Sequence, residues 1–251
     1  MPGGLQEKWQ RARGVARSLR TYYGGGDRDG LDRLYRGLLC SGDLVFDIGA
    51  HVGSRTAAFR RLGARVVAVE PQPALAKLLR LLFAADRAVT VEATAVGRST
   101  GYVELKLNID NPTVSSASPE FLRAAAGAVG WEGQAWDKVI TVPLTTIDAL
   151  IARHGAPKFI KIDIEGFEAE ALAGLTHPPP ALSFEFTTVA PAIAAAALER
   201  CVALGYRRFN AVLGEQHAFV HQKWLAADAV GAWMAALPHA ANSGDLYAVA
   251  A

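Results

Sequence analysis

The sequence predicts a doubly wound α/β fold around a mostly parallel, seven-stranded sheet. Three observations predict it. Short apolar runs alternate with longer amphipathic ones along most of the chain. Those runs are apolar throughout rather than at every second residue, the pattern of strands covered on both faces. The first of them, Val45-Phe46-Asp47-Ile48, breaks into the glycine turn Gly49-Ala50-His51-Val52-Gly53 just before a helix. With 251 residues, 51% of them hydrophobic, the chain can bury one substantial core and need not be split.

The elements follow in order. Leu5, Trp9, Ala12, Ala16, Leu19 and Tyr23 recur at spacings of four and three, with Lys8, Arg11, Arg13, Arg17 and Arg20 between them. This predicts a basic amphipathic helix over 5 to 23 whose apolar stripe packs on its own domain, with an acidic membrane surface as the alternative partner. Gly24-Gly25-Gly26 ends it, and a second short helix is expected over 31 to 40. Together they form an N-terminal extension (1–40) packed on a domain of residues 41–251. Ser41-Gly42-Asp43 turns into the first strand. A helix through Phe59 and Leu62, a second strand over 65 to 69 ending at Glu70-Pro71, a helix over 73 to 85 and a third strand over 89 to 93 come next.

Region 101–146 breaks that rhythm. Residues 101 to 107 alternate like an exposed strand, residues 111 to 119 are a Pro/Ser-rich loop, and Trp131 and Trp136 flank another. This is expected to be an insertion lying over the ligand-binding edge of the sheet. Regular units resume with a helix near Thr146, a strand over 158 to 162, a helix from Phe167, a strand over 181 to 186 and an alanine-rich helix over 191 to 204. Strands over 207 to 213 and 246 to 249 complete the sheet.

Bulk properties exclude several functions. Lys and Arg number 26 against 24 acidic residues, so no general nucleic-acid binder is expected. Cys40 and Cys201 lack the spacing of a zinc or redox pair and are expected as buried thiols of a reduced, cytoplasmic protein. No apolar run is long enough to span a bilayer, and the N-terminus carries charge where a signal peptide needs apolar residues. His217 and His221 stand at i, i+4, but no third ligand accompanies them, and no metal site is expected.

In such a sheet, ligands bind outside the carboxyl ends of the strands. Asp47 is expected to close the first strand, Glu70 the second and Asp163 the fourth, with Glu185 near the end of the fifth. A dinucleotide fingerprint has glycine where Asp47 stands, and a carboxylate there repels pyrophosphate. A phosphate-free cation such as S-adenosylmethionine, with its ammonium and sulfonium groups, suits the position instead. Glu70 lies 17 residues beyond Gly53, where a carboxylate can accept hydrogen bonds from ribose hydroxyls.

Asp163, Glu165 and Glu185 are the candidate catalytic acids. Two carboxylates close together raise one pKa toward that of a useful base. For Glu165 and Glu168 the alternative is a place in the first helical turn, where the dipole favours acids. Lys161, set between Ile160 and Ile162, is expected to pair with a neighbouring acid. Ser115 and Ser116, in the covering loop, are candidate ligand contacts or turn formers.

At this point the chain resembles the FkbM-type S-adenosylmethionine-dependent methyltransferases. The likeness is carried by Gly42-Asp43-Leu44-Val45-Phe46-Asp47-Ile48-Gly49-Ala50-His51-Val52-Gly53, by Val69-Glu70-Pro71-Gln72-Pro73 and by Ala95-Val96-Gly97. It continues in Thr146-Ile147-Asp148-Ala149-Leu150, Lys161-Ile162-Asp163-Ile164-Glu165-Gly166-Phe167-Glu168 and Gly244-Asp245-Leu246-Tyr247-Ala248. His51 replaces the middle glycine of the commoner turn, and its ring is expected over the methionine part of the cofactor.

The resemblance implies a Rossmann-like methyltransferase that methylates a hydroxyl of a sugar or a polyketide-like small molecule. The cofactor contacts would come from Asp47, Gly49, Ala50, His51, Gly53, Glu70, Gln72, Ala95 and Ser116. Methylation of an amine, or of a glycolipid at a membrane surface, is the neighbouring reading. A non-catalytic module that kept the cofactor fold is the reading from another class. Loss of the glycine turn or of the strand-end acids would favour it, and this chain keeps both.

Overall fold

The structure is a computed structural model that describes residues 3–24 and 28–250. Helices α1 (Gly3–Tyr23) and α2 (Arg28–Arg36) precede strand β1 (Leu44–Ile48). Then come α3 (Ser54–Arg61), β2 (Arg65–Val69), α4 (Pro73–Leu82), β3 (Val89–Glu92), β4 (Ala95–Val96), β5 (Gly101–Leu107), α5 (Pro119–Ala125) and β6 (Lys138–Thr145). The second half contains α6 (Ile147–His154), β7 (Phe159–Ile162), α7 (Glu168–Ala173), β8 (Ala181–Thr187), α8 (Pro191–Ala203), β9 (Arg208–Leu213), α9 (Ala227–Ala235) and β10 (Ser243–Val249).

Local chemistry explains several boundaries. Proline opens α4, α5 and α8, where its missing N–H costs nothing. Ser118 and Thr146 cap α5 and α6 by accepting from Phe121 N and Ala149 N.

Seven strands form the main sheet in the order β3-β2-β1-β7-β8-β10-β9. All neighbours are parallel except β10, which runs antiparallel to both β8 and β9. Strand order reverses between β1 and β7, which opens the crevice where ligands bind in such sheets. One face buries Phe46, Ile48, Val67, Ile162 and Phe184 among the apolar residues of α6, α7 and α8. The other buries Val45, Val66, Phe159 and Tyr247 under Tyr35 of α2 and Phe59 of α3. Each such side chain contributes about 1.5–3 kcal/mol, so both faces need their helices.

The 101–146 region holds a second sheet, ordered β4-β6-β5, with β5 antiparallel to β6. The sequence reading missed this sheet, α5 and α9. It also set the end of α2 too late. That helix stops at Arg36, and Cys40 is exposed rather than buried, while Cys201 is buried as expected.

A larger correction concerns α1. Its inward face carries Gly14 and Ser18, with Val15, Leu19 and Tyr22 half-buried beside them, whereas Trp9, Ala12 and Ala16 face solvent and Trp9 is 66% exposed. The reason is close approach. A side chain at Gly14 would come within 2.7 Å of the Ile109 carbonyl, so the smallest residues, not the most apolar, mark the contact. Gly25 and Gly26 of the expected turn lie outside the described residues, as does the side chain of Leu5. Among the described residues no helix is long and apolar enough to cross a membrane.

Candidate active site

A cleft with about 860 Å³ of empty space, its open mouth included, lies at the carboxyl ends of β1, β2 and β7. Its floor is the turn after β1. Gly49 and Ala50 both donate to the Val69 carbonyl, at 2.9 and 3.0 Å, which folds the turn onto the end of β2. Gly49 has φ +84°. A Cβ there would lie 1.7 Å from the Asp163 carbonyl oxygen, so only glycine lets β1 and β7 end side by side.

On the β2 side stands Glu70, 3% exposed. Its Oε2 accepts from His51 N at 2.9 Å and its Oε1 from Gln72 N at 2.8 Å. Burial pushes its pKa up to about 7 against the pull of those two N–H groups. The Gln72 side chain donates to the Pro112 carbonyl and so ties the covering loop to this wall. His51 sits in the left-handed region at φ +50°. Its ring meets Tyr22 edge-on at 5.6 Å, and burial lowers its pKa to about 4, which leaves the imidazole neutral. Thr94 and Ala95 line the cleft nearby, as do Leu105, Thr113, Ser115 and Ala117 from the insertion.

On the β7 side the acids converge. Lys161, 1% exposed, points its amine at Asp163 Oδ2 (2.6 Å) and lies 3.6 Å from Asp245. Burial would lower this lysine, yet the two carboxylates hold it well above its ordinary pKa. Burial would likewise raise Asp163, but Lys161 brings it below the usual carboxylate range. Glu165 follows in a left-handed turn at φ +54°. Glu168 braces that turn, with its Oε1 accepting from Ile164 N and Gly166 N at 3.0 and 3.2 Å. Burial, Asp163 and Glu168 push Glu165 well above the normal range; burial, Glu165 and Asp163 do the same to Glu185.

The structure brings together Gly49, Ala50, His51, Glu70, Gln72, Ala95, Asp163 and Glu165 on the cleft wall. Three expected contacts stand behind it. Asp47 lies one residue short of the end of β1, 1% exposed, and accepts from the Thr56 hydroxyl at 2.5 Å, so it anchors α3 instead of facing the cleft. Gly53 sits at the N-cap of α3 with φ +84°. Ser116 is fully buried, donates to the Glu165 carbonyl at 2.6 Å and accepts from Ser118 N, while its neighbour Ser115 reaches the wall. Glu185 lies inside β8, opposite Asp245 of β10, two residues before the strand's end.

Sequence reasoning missed Tyr22, Arg55 and Glu215, which also line the cleft. Arg55 donates to Glu215 at 2.7 Å. Burial would raise Glu215, but His217 and Arg55 bring it down to about 2. Only the position of Arg55 just after the glycine turn could have signalled it.

The sequence profile of the family described as methyltransferase FkbM domain matches residues 47–236, about three-quarters of the chain. No curated protein matches the chain. Among solved structures it is similar to a TehB-like SAM-dependent methyltransferase from Corynebacterium glutamicum, at 13% identity over 100% of both chains with a TM-score of 0.50. It is also similar to a precorrin-6Y C5,15-methyltransferase from Geobacter metallireducens, at 15% identity over 89% of this chain and 86% of that one (TM-score 0.45). A fibrillarin from Aeropyrum pernix, solved with natively bound S-adenosyl-L-methionine, matches at 10% identity over 92% and 76% (TM-score 0.47). At such identities the likeness is one of fold.

Proposed function

This chain belongs to the FkbM methyltransferase family, and we propose that it moves a methyl group from S-adenosylmethionine to a hydroxyl of a sugar or another small natural product. The observation that carries the reading is the charge of the cleft. Its walls carry Asp163, which Lys161 keeps ionised, with Glu70 and Glu165 beside it; among the described residues its one basic side chain is Arg55, already paired with Glu215, and its histidine is neutral. A pyrophosphate would be repelled there, whereas an ammonium and a sulfonium are attracted.

In this reading Glu70 takes the ribose hydroxyls. Both of its oxygens are already oriented by backbone N–H groups and keep lone pairs for a further donor. Gly49, Ala50 and His51 offer the backbone on which the methionine part lies, and Gln72 and Ala95 flank the nucleoside. Asp47, Gly53 and Ser116 act from behind the wall, by fixing the start of α3, the turn and the Glu165 loop. Asp163, Glu165 and Glu185 form the side that receives the acceptor.

The sulfonium is already an activated electrophile, so the site's task is to align the acceptor oxygen with the methyl carbon and to exclude water. In the transfer the S–CH₃ bond breaks, the O–CH₃ bond forms, and the hydroxyl proton leaves on the acidic side. The insertion and the N-terminal helices choose the acceptor, the insertion through Leu105, Thr113, Ser115 and Ala117 and the helices through Tyr22 of α1, which all line the cleft. Calorimetry with S-adenosylmethionine tests the premise. Micromolar binding that falls at least tenfold in Glu70→Ala is expected. Unchanged affinity in both Glu70→Ala and Asp47→Ala would overturn the assignment. Transfer of a labelled methyl group to sugar and polyketide hydroxyls, against matched amines, tests the acceptor.

A further inference from the structure

We infer that Asp163, Glu165 and Glu185 together hold one divalent metal ion of the hard, oxygen-preferring class, such as Mg²⁺, Mn²⁺ or Ca²⁺. The sequence reading sought ligands among the histidines; the fold assembles carboxylates instead. One oxygen from each of the three lies within 4.8 Å of the other two. A point between them is then no more than ~2.8 Å from any of the three, a short side-chain movement from the 2.3–2.6 Å of Ca²⁺ ligands or the 2.0–2.1 Å of Mg²⁺ ligands. Two of the ligands come from the turn that follows β7 and the third from the interior of β8, so two backbone segments converge on one point.

Proximity of acids alone would not make a site. The second observation is Glu165 itself, a residue only 6% exposed whose carboxylate, at the cleft wall, lies within 4.8 Å of the other two and receives no hydrogen bond from any described residue. Glu185 meets the Asp163 carboxylate in a side-chain hydrogen bond, and its Oε2 is buried without a partner. An unpaired buried carboxylate is costly. Among the described residues the cations within reach are committed elsewhere. Lys161 is shared between Asp163 and Asp245, and Arg55 is held by Glu215. A dication supplies the missing charge and can take all three oxygens at once, which one ammonium cannot.

Asp163 and Glu165 also belong to the cleft wall, so the ion's remaining coordination positions open toward the acceptor. Its role there rests on the methyl-transfer reading. An acceptor hydroxyl bound to the ion becomes more acidic, as metal-bound water does. The proton passes to solvent water, the oxygen takes the methyl group, and the sulfonium becomes a neutral thioether.

The test is a Mn²⁺ titration of the EDTA-treated, dialysed full chain, followed by the electron paramagnetic resonance of free Mn²⁺. One Mn²⁺ per chain is expected, displaced by Mg²⁺ or Ca²⁺ and bound at least tenfold more weakly by Glu165→Gln and by Glu185→Gln. Should Glu185→Gln fail to fold, Glu165→Gln on the cleft wall carries the comparison, with thermal melting as the check on folding. Saturating S-adenosylmethionine should leave the ion bound. Absence of Mn²⁺ binding, equal binding by the folded variants, or displacement of the ion by S-adenosylmethionine would each overturn the proposal. In the last case the acids serve the cofactor's ammonium. Mn²⁺ binding without S-adenosylmethionine binding would keep the metal site and sink the methyl-transfer reading.

Discussion

Glu70 and Glu165 are both buried glutamates on the wall of one cleft, 3% and 6% exposed, and they are built in opposite ways. Each oxygen of Glu70 receives a backbone N–H, and the side chain is fixed before any ligand arrives. The carboxylate of Glu165 receives none among the described residues, and carboxylate oxygens of Asp163 and Glu185 stand within 4.8 Å of it. Burial alone therefore says little about the role of a carboxylate. Its partners separate a preorganised contact from a site that waits for a cation.

Gly49→Ala would break the comparison outright, because Gly49 joins the two sides. The added Cβ would meet the Asp163 carbonyl oxygen at 1.7 Å, backbone against backbone, in a residue with φ +84°. A loss above ~4 kcal/mol is expected, in the exceptional class for one substitution. Calorimetric melting or soluble yield measures it, and a variant that melts within a few degrees of the parent refutes it.

Lys161→Met comes next and touches the acidic side alone. It leaves Asp245 buried, and Asp163 half-exposed on the cleft wall, without their shared cation, at a cost of about 3 kcal/mol, the low end for breaking a buried pair. Affinity for S-adenosylmethionine in the folded fraction should change less than tenfold, because Glu70 and the glycine turn do not depend on Lys161. An equal collapse of cofactor binding would mean that the two sides are one unit.

Glu70→Gln is the converse probe. It keeps the shape, removes the charge and turns an amide NH₂ toward one of the two backbone N–H groups that Glu70 accepts from; a charge-assisted hydrogen bond is worth about 1.5–3 kcal/mol, so affinity should fall at least tenfold to a hundredfold. The same group makes stability depend on pH. The folded pKa of Glu70, about 7, lies above its ordinary value of 4.5. Its contribution to stability is therefore full below the ordinary value and lost as pH rises through about 7. The ligand-free parent should therefore lose melting temperature between pH 4 and pH 8, and the ligand-free variant, which has no group titrating there, should lose less. Cofactor affinity of the parent should weaken as pH falls below about 7, where Glu70 takes a proton.

The β2 side was legible in the sequence because its signals are local. An apolar run, a glycine turn and an acid after the next run describe consecutive backbone, and the residues that face the ligand lie beside them. The β7 side was legible in its residues, since Asp163, Glu165 and Glu185 were all singled out, but their joint geometry was not. It depends on β8 pairing with β7 and on the left-handed turn at Glu165. The wall that α1 contributes was misread for a physical reason. Apolar periodicity points to Trp9, Ala12 and Ala16, whereas the contact is made where Gly14 and Ser18 let the helix come close. Tyr22 was therefore missed.

Tyr22→Ala carries the smallest expected effect and sharpens the comparison most. Tyr22 meets His51 edge-on at 5.6 Å and lines the cleft, and the neighbouring Tyr23 hydroxyl donates to the Val52 carbonyl, so the end of α1 presses on the glycine turn. An aromatic pair of this geometry contributes about 0.5–1.5 kcal/mol, which predicts a twofold to tenfold loss of S-adenosylmethionine affinity. Melting should change little, because the pair lies at the cleft and not in the core. If affinity does not move, the preorganised side is made by β1 and β2 alone, and α1 serves the acceptor. If it falls as predicted, the N-terminal helix is part of the cofactor site, and its removal should cost the chain its methyl donor before it costs the fold.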